Sequence, residues 1–302
     1  MPRHILIAGG TGLIGTALKA EALALGWNVT LLSRTPGPGK IFWDPASNRI
    51  DLASKLHVDA IINLAGTSIG DQRWTISRKQ DIVSSRLKSA STLYSYLQSG
   101  QLSTPVYIGI SGIGIYRNSG SDPVDETAPV LFPEDWMVQT VQQWEKAHAQ
   151  FDTPGIREVT LRMGLVMSPK GGALKELLKV SRFGMLTYFG SGKQYWSWIH
   201  IGDTIGIMMR AMQDEQMKGV YLCAAPHPVT NREFTRAMRQ EFSFPRVMLG
   251  VPGFALRLIL GELSSALLDS CNAFPKKLID AGFEFKFPTI REAMHDLLHP
   301  EA

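Results

Sequence analysis

Cysteine is nearly absent from this chain of 302 residues: only Cys223 and Cys271 occur, and neither belongs to a Cys-x-x-Cys pair. Two such residues build neither a disulfide framework nor a four-cysteine zinc site, so a reducing, cytoplasmic compartment is the expectation. Basic runs are absent too. Thirty-one Lys and Arg stand against twenty-seven Asp and Glu, a net charge of +4 spread along the chain. That excess suits small anionic ligands and gives no nucleic-acid signature. Long apolar runs are also missing. An uncharged stretch, Gln98 to Tyr116, is broken by Gln101, Ser103, Thr104 and Pro105, whereas a spanning helix needs about 20 mostly apolar residues. The start places Arg3 and His4 before an apolar run, Ile5 to Ala8, that is too short for a secretion signal. No targeting segment, membrane contact, internal repeat or low-complexity tract is expected.

What is present is a globular composition, 44% hydrophobic and 19% charged, in a chain long enough for one large or two small domains. The first residues read as a βαβ unit. Ile5 to Ala8 is an apolar run, a glycine turn follows, a helical stretch carries Leu13, Ala17, Leu18, Ala22 and Leu25 on one stripe, and Val29 to Leu32 is apolar again. Further apolar runs at Ala60 to Leu64, Val106 to Ile110 and Val159 to Leu161, with helices expected at roughly 76–98 and 134–150, describe strands covered on both faces. The fold class is therefore α/β, a doubly wound parallel sheet of Rossmann type. Beyond about residue 166 the pattern turns to glycine turns and short helices punctuated by Pro226, Pro228, Pro245, Pro252, Pro275 and Pro288. A dinucleotide-binding domain over residues 1–165 and a smaller substrate-side α/β lobe over 166–302 are expected, with the chain returning to the first around 195–225.

Gly9-Gly10-Thr11-Gly12-Leu13-Ile14-Gly15 directly follows the first strand and opens the first helix. Glycines there permit a tight turn, let backbone approach a pyrophosphate, and leave free N–H donors at the helix start. The spacing is Gly-x-x-Gly-x-x-Gly. An acid about 20 residues on would hold an adenosine 2′-hydroxyl and select NAD, but Ser33-Arg34 stands there. A guanidinium forks onto a 2′-phosphate, so the expected cofactor is NADP(H), with Lys40 as a further nearby charge. Asn63-Leu64-Ala65-Gly66 ends the next strand with small residues against which a cofactor can lie, and Asp81 and Arg86 follow on a helix.

Taken in order, Gly-Gly-Thr-Gly-Leu-Ile-Gly, Leu-Ser-Arg, Asn-Leu-Ala-Gly, Arg162 to Val166 and Gly190 to Asp203 resemble the atypical extended short-chain dehydrogenase/reductases. Within them the chain is similar to the epimerase family proteins that carry a small C-terminal domain of unknown function. Residues 249–297, with Val251-Pro-Gly-Phe, Pro275-Lys-Lys-Leu and Ala281-Gly-Phe, resemble that domain. The resemblance implies NADP(H) held by Ser33, Arg34, Leu64, Ala65, Asp81, Arg86 and Leu165, a small-molecule substrate under the second lobe, and a four-helix homodimer interface that the two long helices could form.

Ordinary members use a Ser, a Tyr and a Lys four residues after the Tyr. Here the residues four after Tyr94, Tyr96, Tyr107, Tyr116, Tyr188, Tyr195 and Tyr221 are Gln98, Gly100, Ser111, Gly120, Gly192, Ile199 and Ala225. The pair is missing. Met137 and Val141 stand in its places, Ile113 stands at the serine position, and Ser111 and Tyr116 are the local hydroxyls left as catalytic candidates. An oxidoreductase of unreadable substrate is the first expectation. A catalytically weak NADP(H) sensor or scaffold, which the resemblance links to division, is the second. Three further signals are weaker: His200 and Asp203 as polar groups in a cleft lined by Tyr195 to Trp198, Ser68 in Gly66-Thr67-Ser68-Ile69-Gly70 as a hydrolase nucleophile, and His295 with His299 as a metal pair lacking a third ligand. No metal is expected.

Overall fold

The computed structural model describes residues 3–244 and 246–299; Met1, Pro2 and Pro245, one of the prolines read as punctuation, lie outside them. His4–Ala8 alternates its side chains between two faces, as any strand must. Ile5 and Ile7 enter one core with Leu18 and Ala22 of the helix Leu13–Ala24 and Met208 of the helix Ile201–Gln213. Leu6 and Ala8 enter the other with Ala90 and Leu93 of the helix Ile76–Gln98 and Ala147 of the helix Trp136–Ala149. Apolar residues at every strand position are thus used on both faces.

Eight strands form the sheet in the spatial order Gly219–Cys223, Arg157–Met163, Val106–Gly112, Ala60–Asn63, His4–Ala8, Asn28–Ser33, Lys40–Asp44 and Arg49–Ile50. All neighbours are parallel except the last pair. The order reverses beside His4–Ala8, and such a switch point opens a crevice at the carboxyl ends of the strands. The fold is the expected doubly wound α/β type. Leu25 departs from the expected helix stripe. The first helix ends at Ala24, Gly26 turns the chain at φ 73°, and Leu25 is left 53% exposed.

The smaller lobe has its own core, with Leu174 and Leu177 of the helix Gly172–Ser181, Trp196 and Trp198, Phe234 and Met238 of the helix Asn231–Gln240, and Met294 and Leu297 of the helix Ile290–Leu298. The C-terminal piece is also stitched to the large sheet. Leu278 of the short helix Lys276–Asp280, with Phe283 and Phe285 beyond it, packs into the first core. The N–H of Phe283 returns to the Leu278 carbonyl at 2.9 Å around Gly282, whose φ of 67° closes that helix. Among the described residues no helix is long and apolar enough to cross a membrane.

One buried polar chain crosses the second face. Asn63 Nδ2 donates to the Tyr107 hydroxyl at 3.1 Å, that hydroxyl lies 2.9 Å from His148 Nδ1, and His148 Nε2 lies 3.2 Å from the Ile110 carbonyl. A carbonyl only accepts, so Nε2 carries the proton and Nδ1 accepts from Tyr107 in a neutral ring. Burial drives the His148 pKa down to about 4, opposed by the Ile110 carbonyl and the Glu145 charge. The unfolded ring titrates near 6.5, so between pH 6.5 and 4 the unfolded chain binds a proton that the folded one refuses. Stability is lost as pH falls through that window, by about 3 kcal/mol at its acid end. Urea unfolding at pH 7.5 and 4.5 should show His148→Gln losing about 2.5 kcal/mol less than the parent over that interval; equal losses would assign the acid sensitivity elsewhere.

Candidate functional site

The glycine loop lies at the switch point. Gly9 takes φ 76°, and a Cβ there would stand 2.7 Å from the Leu64 carbonyl carbon; a Cβ on Gly15 would stand 2.6 Å from the Gly10 Cα. Both distances are too short for real atoms, so these glycines let the strand, the first helix and the Leu64–Ala65 segment meet. Gly12 differs. It caps the helix without a side-chain hydrogen bond, and a Cβ on it would meet only the Gly9 carbonyl oxygen, at 3.4 Å. Its open side belongs to a cavity of about 710 Å³.

That cavity gathers Gly9, Thr11, Gly12, Ser33, Arg34, Leu64, Ala65, Gly66 and Asp81 of the residues read from sequence. Gly10, Leu13, Ile14 and Gly15 build the loop and helix start behind it and do not line it. Ser33 accepts the N–H of Thr35 at 3.1 Å, a short turn that leaves Arg34 exposed at the strand end. Lys40 begins the next strand and is not on the wall. Lys88 is, together with Trp43 and Asp44. The Asp44 carboxyl is held below its ordinary value by the Ser47 hydroxyl and the Ala46 N–H, and to a smaller degree by Arg34. Two cations and two carboxylates therefore share this mouth.

The Leu64–Thr67 segment is fixed from below. Asn63 Oδ1 accepts the Ala65 N–H at 3.2 Å and Ser85 accepts the Thr67 N–H at 3.0 Å. Arg86 does not line the cavity; its guanidinium donates to the Thr67 carbonyl at 2.8 Å and lies 4.2 Å from the centre of the Trp144 ring. Burial lowers its pKa to about 10, helped by the charge of Arg78. A Cβ on Gly66 would stand 2.7 Å from that guanidinium carbon, which gives this glycine its place.

A second cavity, about 300 Å³, lies where the two lobes meet. Gly112, Ile113 and Gly114 at one strand end, Met137, Val141 and Trp144 on the long helix, and Met163, Gly164 and Leu165 at the next strand end form one side. Tyr195, Trp196, Leu267 and Cys271 close the other. Arg117 reaches it, bound to Asp135 at 2.7 Å and Asp269 at 2.7 Å. Ser197 is spent on the Cys271 carbonyl at 2.7 Å and the Ala273 N–H at 2.8 Å. Burial pushes the Cys271 thiol up to about 11.

Residues 5–224 match the model of the NAD dependent epimerase/dehydratase family, and residues 251–297 match a domain of unknown function, DUF1731. The chain belongs to the epimerase/dehydratase family. It is 33% identical to the epimerase family protein SDR39U1 of Mus musculus, over 98% of this chain and 99% of that one, and 32% identical to the epimerase family protein SSP1921 of Staphylococcus saprophyticus, over 98% and 100%. The crystal structure of human SDR39U1 with NADPH superposes with a TM-score of 0.91 at 30% identity, covering 99% of this chain and 100% of that one. A nucleoside-diphosphate sugar epimerase from Corynebacterium glutamicum gives a TM-score of 0.78 at 29% identity, with 58% of that longer chain covered.

In this family frame the departure read from sequence becomes a place. Ile113, Met137 and Val141, read from the sequence as standing in place of Ser, Tyr and Lys, line the same cavity as Leu165. Ser111 and Tyr116 face away from it. Ser111 donates to Glu145 Oε1 at 2.9 Å, and the Tyr116 hydroxyl meets Arg162. Arg162 forks onto both Glu145 oxygens at 2.7 and 2.8 Å. Burial pushes the Tyr116 hydroxyl up to about 12 against the pull of Arg162. Sequence reasoning missed Glu145, one turn beyond Val141, because its partner arrives on a strand end.

His200 and Asp203 lie outside both cavities. His200 caps the helix Ile201–Gln213 through Nδ1, 2.9 Å from the Gly202 N–H, and lies 3.1 Å from Asp296. Asp203 accepts the N–H groups of Lys286 and Phe287 at 2.8 and 3.1 Å. Tyr195 and Trp196 line the apolar cavity, whereas Trp198 is wholly buried in the small lobe. Ser68 is exposed in a loop, and the next helix begins only at Ile76, so the nucleophile elbow is not there. His295 and His299 meet a third polar group that spacing did not reveal, Glu241, at 2.9 and 3.5 Å; the three are hydrogen-bonded at the surface.

Proposed function

We propose that this chain is an NADP(H)-dependent oxidoreductase whose reacting centre is the apolar cavity at the lobe junction. The observation that carries the reading is the glycine cavity: a helix start without a side-chain cap, opening beside Gly12 onto the same space as Arg34 and Lys88. Free N–H groups there suit a pyrophosphate, and the two cations among the lining residues, Arg34 and Lys88, suit the added 2′-phosphate. When bound, the cofactor supplies the hydride; the chain supplies binding, orientation and exclusion of water. Leu165 and Gly164 line the apolar cavity and not the glycine cavity, and Ile113, Met137 and Val141 give the apolar cavity its aliphatic face. Human SDR39U1, crystallised with NADPH, supports the same cofactor here.

Calorimetric titration at fixed salt tests this. NADPH and NADP should bind more tightly than NADH and NAD. Arg34→Asp should weaken NADPH by about 2 kcal/mol, roughly thirtyfold, through loss of charge-assisted hydrogen bonds and added repulsion, with little change for NADH. Equal losses for both would remove Arg34 from the 2′-phosphate site. The replacement of the usual Tyr and Lys by Met137 and Val141 also favours a second reading, an NADP(H)-binding protein that signals through conformation. Tight cofactor binding without NADPH oxidation across aldehydes, ketones, quinones and nucleotide sugars would select it.

A further inference from the structure

The apolar cavity has a charge pattern that a nucleotide-sugar site would not have. Arg117 is the cation on its wall, and it is already held by two carboxylates. Asp135 is itself locked, because its other oxygen caps the helix Trp136–Ala149 by accepting the Met137 N–H at 2.8 Å. Arg117 is thus neutralised by Asp269 on the wall and by Asp135 outside the lining, so the wall offers a diphosphate no free guanidinium fork. The rest of the wall is mostly aliphatic or aromatic, with Trp74, Trp144 and Trp196 around a space of about 300 Å³; Asn118, Tyr195, Ser197, Ser265 and Cys271 are its other polar residues. Such a wall takes a planar apolar ring.

The missing acid points the same way. Hydride addition to an ordinary ketone leaves an alkoxide, close in basicity to hydroxide, whose parent water has a pKa of about 15.7. That product needs a positioned acid. Hydride addition to a quinone leaves a phenolate instead, whose conjugate acid lies near the tyrosine value of about 10. Water can protonate it. Among the described residues on the cavity wall, Ser197 is hydrogen-bonded away and Tyr195 is followed four residues later by Ile199 in place of a lysine.

We propose that the cavity binds a quinone and that the chain reduces it with NADPH by hydride transfer. This rests on the cofactor reading above. The balance is NADPH, quinone and one proton giving NADP and hydroquinone: two electrons and one proton pass as hydride, a ring carbonyl becomes a phenolate, and the second proton comes from water.

The test uses the full chain and the probe 2-methyl-1,4-naphthoquinone. Without cofactor, the probe should quench tryptophan fluorescence saturably, while UDP-glucose at equal concentration should not. With NADPH added, one hydroquinone should form per NADPH consumed. Leu267→Trp, which fills the cavity, and Ile113→Asp, which charges it, should each weaken the probe at least tenfold while calorimetric NADPH binding changes less than threefold; that second readout reports folding of both variants. Saturable binding of UDP-glucose without the quinone would overturn the proposal, as would NADPH binding without any quinone quenching, or quenching unaffected by both variants. Quenching with no NADPH binding would overturn the cofactor reading and the reductase step, leaving only a quinone-binding cavity.

Discussion

Gly12→Val should abolish NADP(H) binding and leave a folded protein, whereas Gly15→Val, three residues on, should strongly destabilise the fold. The two outcomes follow from what each new Cβ meets. At position 12 the backbone sits at φ −76° and ψ 178°, which valine adopts without strain. The nearest atom is the Gly9 carbonyl oxygen at 3.4 Å, and the rest of the side chain projects into the space a pyrophosphate needs. The folding cost is about 1 kcal/mol, the difference between glycine and an apolar residue at an N-cap. The binding cost exceeds a hundredfold, since the anion loses its approach to the helix start. At position 15 the new atom would stand 2.6 Å from the Gly10 Cα and 2.7 Å from the Gly9 carbonyl oxygen. Those are backbone atoms and cannot move aside, so overpacking costs about 3 kcal/mol or more. Calorimetry with NADPH and thermal unfolding of each variant check the pair. Undiminished binding by Gly12→Val would place the cofactor somewhere other than this loop.

How far the sequence carried this contrast depends on where the relevant contacts lie along the chain. Strand-helix alternation over the first 33 residues is a local pattern, and the glycine loop, Ser33 and Arg34 were legible because each sits at the end of a strand whose position the pattern had fixed. Trp43, Asp44 and Lys88 share the same cavity but reach it through sheet pairing and helix packing, which leave no spacing to read. Arg86 shows the limit. Its position on the helix was evident, yet the packing of Trp144 beneath it and the Thr67 carbonyl above it turn the guanidinium under the loop. His200 and Asp203 were legible as polar residues in an aromatic segment; that they serve a helix cap and the Lys286–Phe287 backbone depends on the C-terminal segment folding back.

The convergence of Ile113, Met137, Val141 and Leu165 on one cavity belongs to the same class of fact. The sequence reading set three of them, one at a time, where catalytic residues were expected. Only the meeting of two strand ends with one helix face turns three separate losses into a single apolar surface, and that surface is what favours an acceptor able to take its second proton from water.

Glu145→Ala is expected to be the most destabilising single truncation near the site. Glu145 and Arg162 keep only 15% and 10% of their side chains exposed, and the pair holds two strand ends against the long helix: Ser111 through Oε1, Arg162 through both oxygens, and Tyr116 through Arg162. Burial alone would lower the Arg162 pKa, but the Glu145 hydrogen bonds and charge raise it above its ordinary value, so removing the carboxylate leaves a buried cation and an unsatisfied hydroxyl. Breaking a buried pair in this way costs about 3–5 kcal/mol, which for a domain of this size lowers Tm by roughly 6 °C. Replacing both partners, Glu145→Leu with Arg162→Met, should recover at least half of that loss, because no charge is then stranded. The two hydroxyls lie behind the cavity wall, so NADPH affinity of the single variant should stay within threefold of the parent at temperatures where it is folded. A loss below 1 kcal/mol would mean that solvent reaches Arg162 and that the strand ends are held by packing alone; a large fall in NADPH affinity in a folded variant would instead give Ser111 or Tyr116 a direct part in the site.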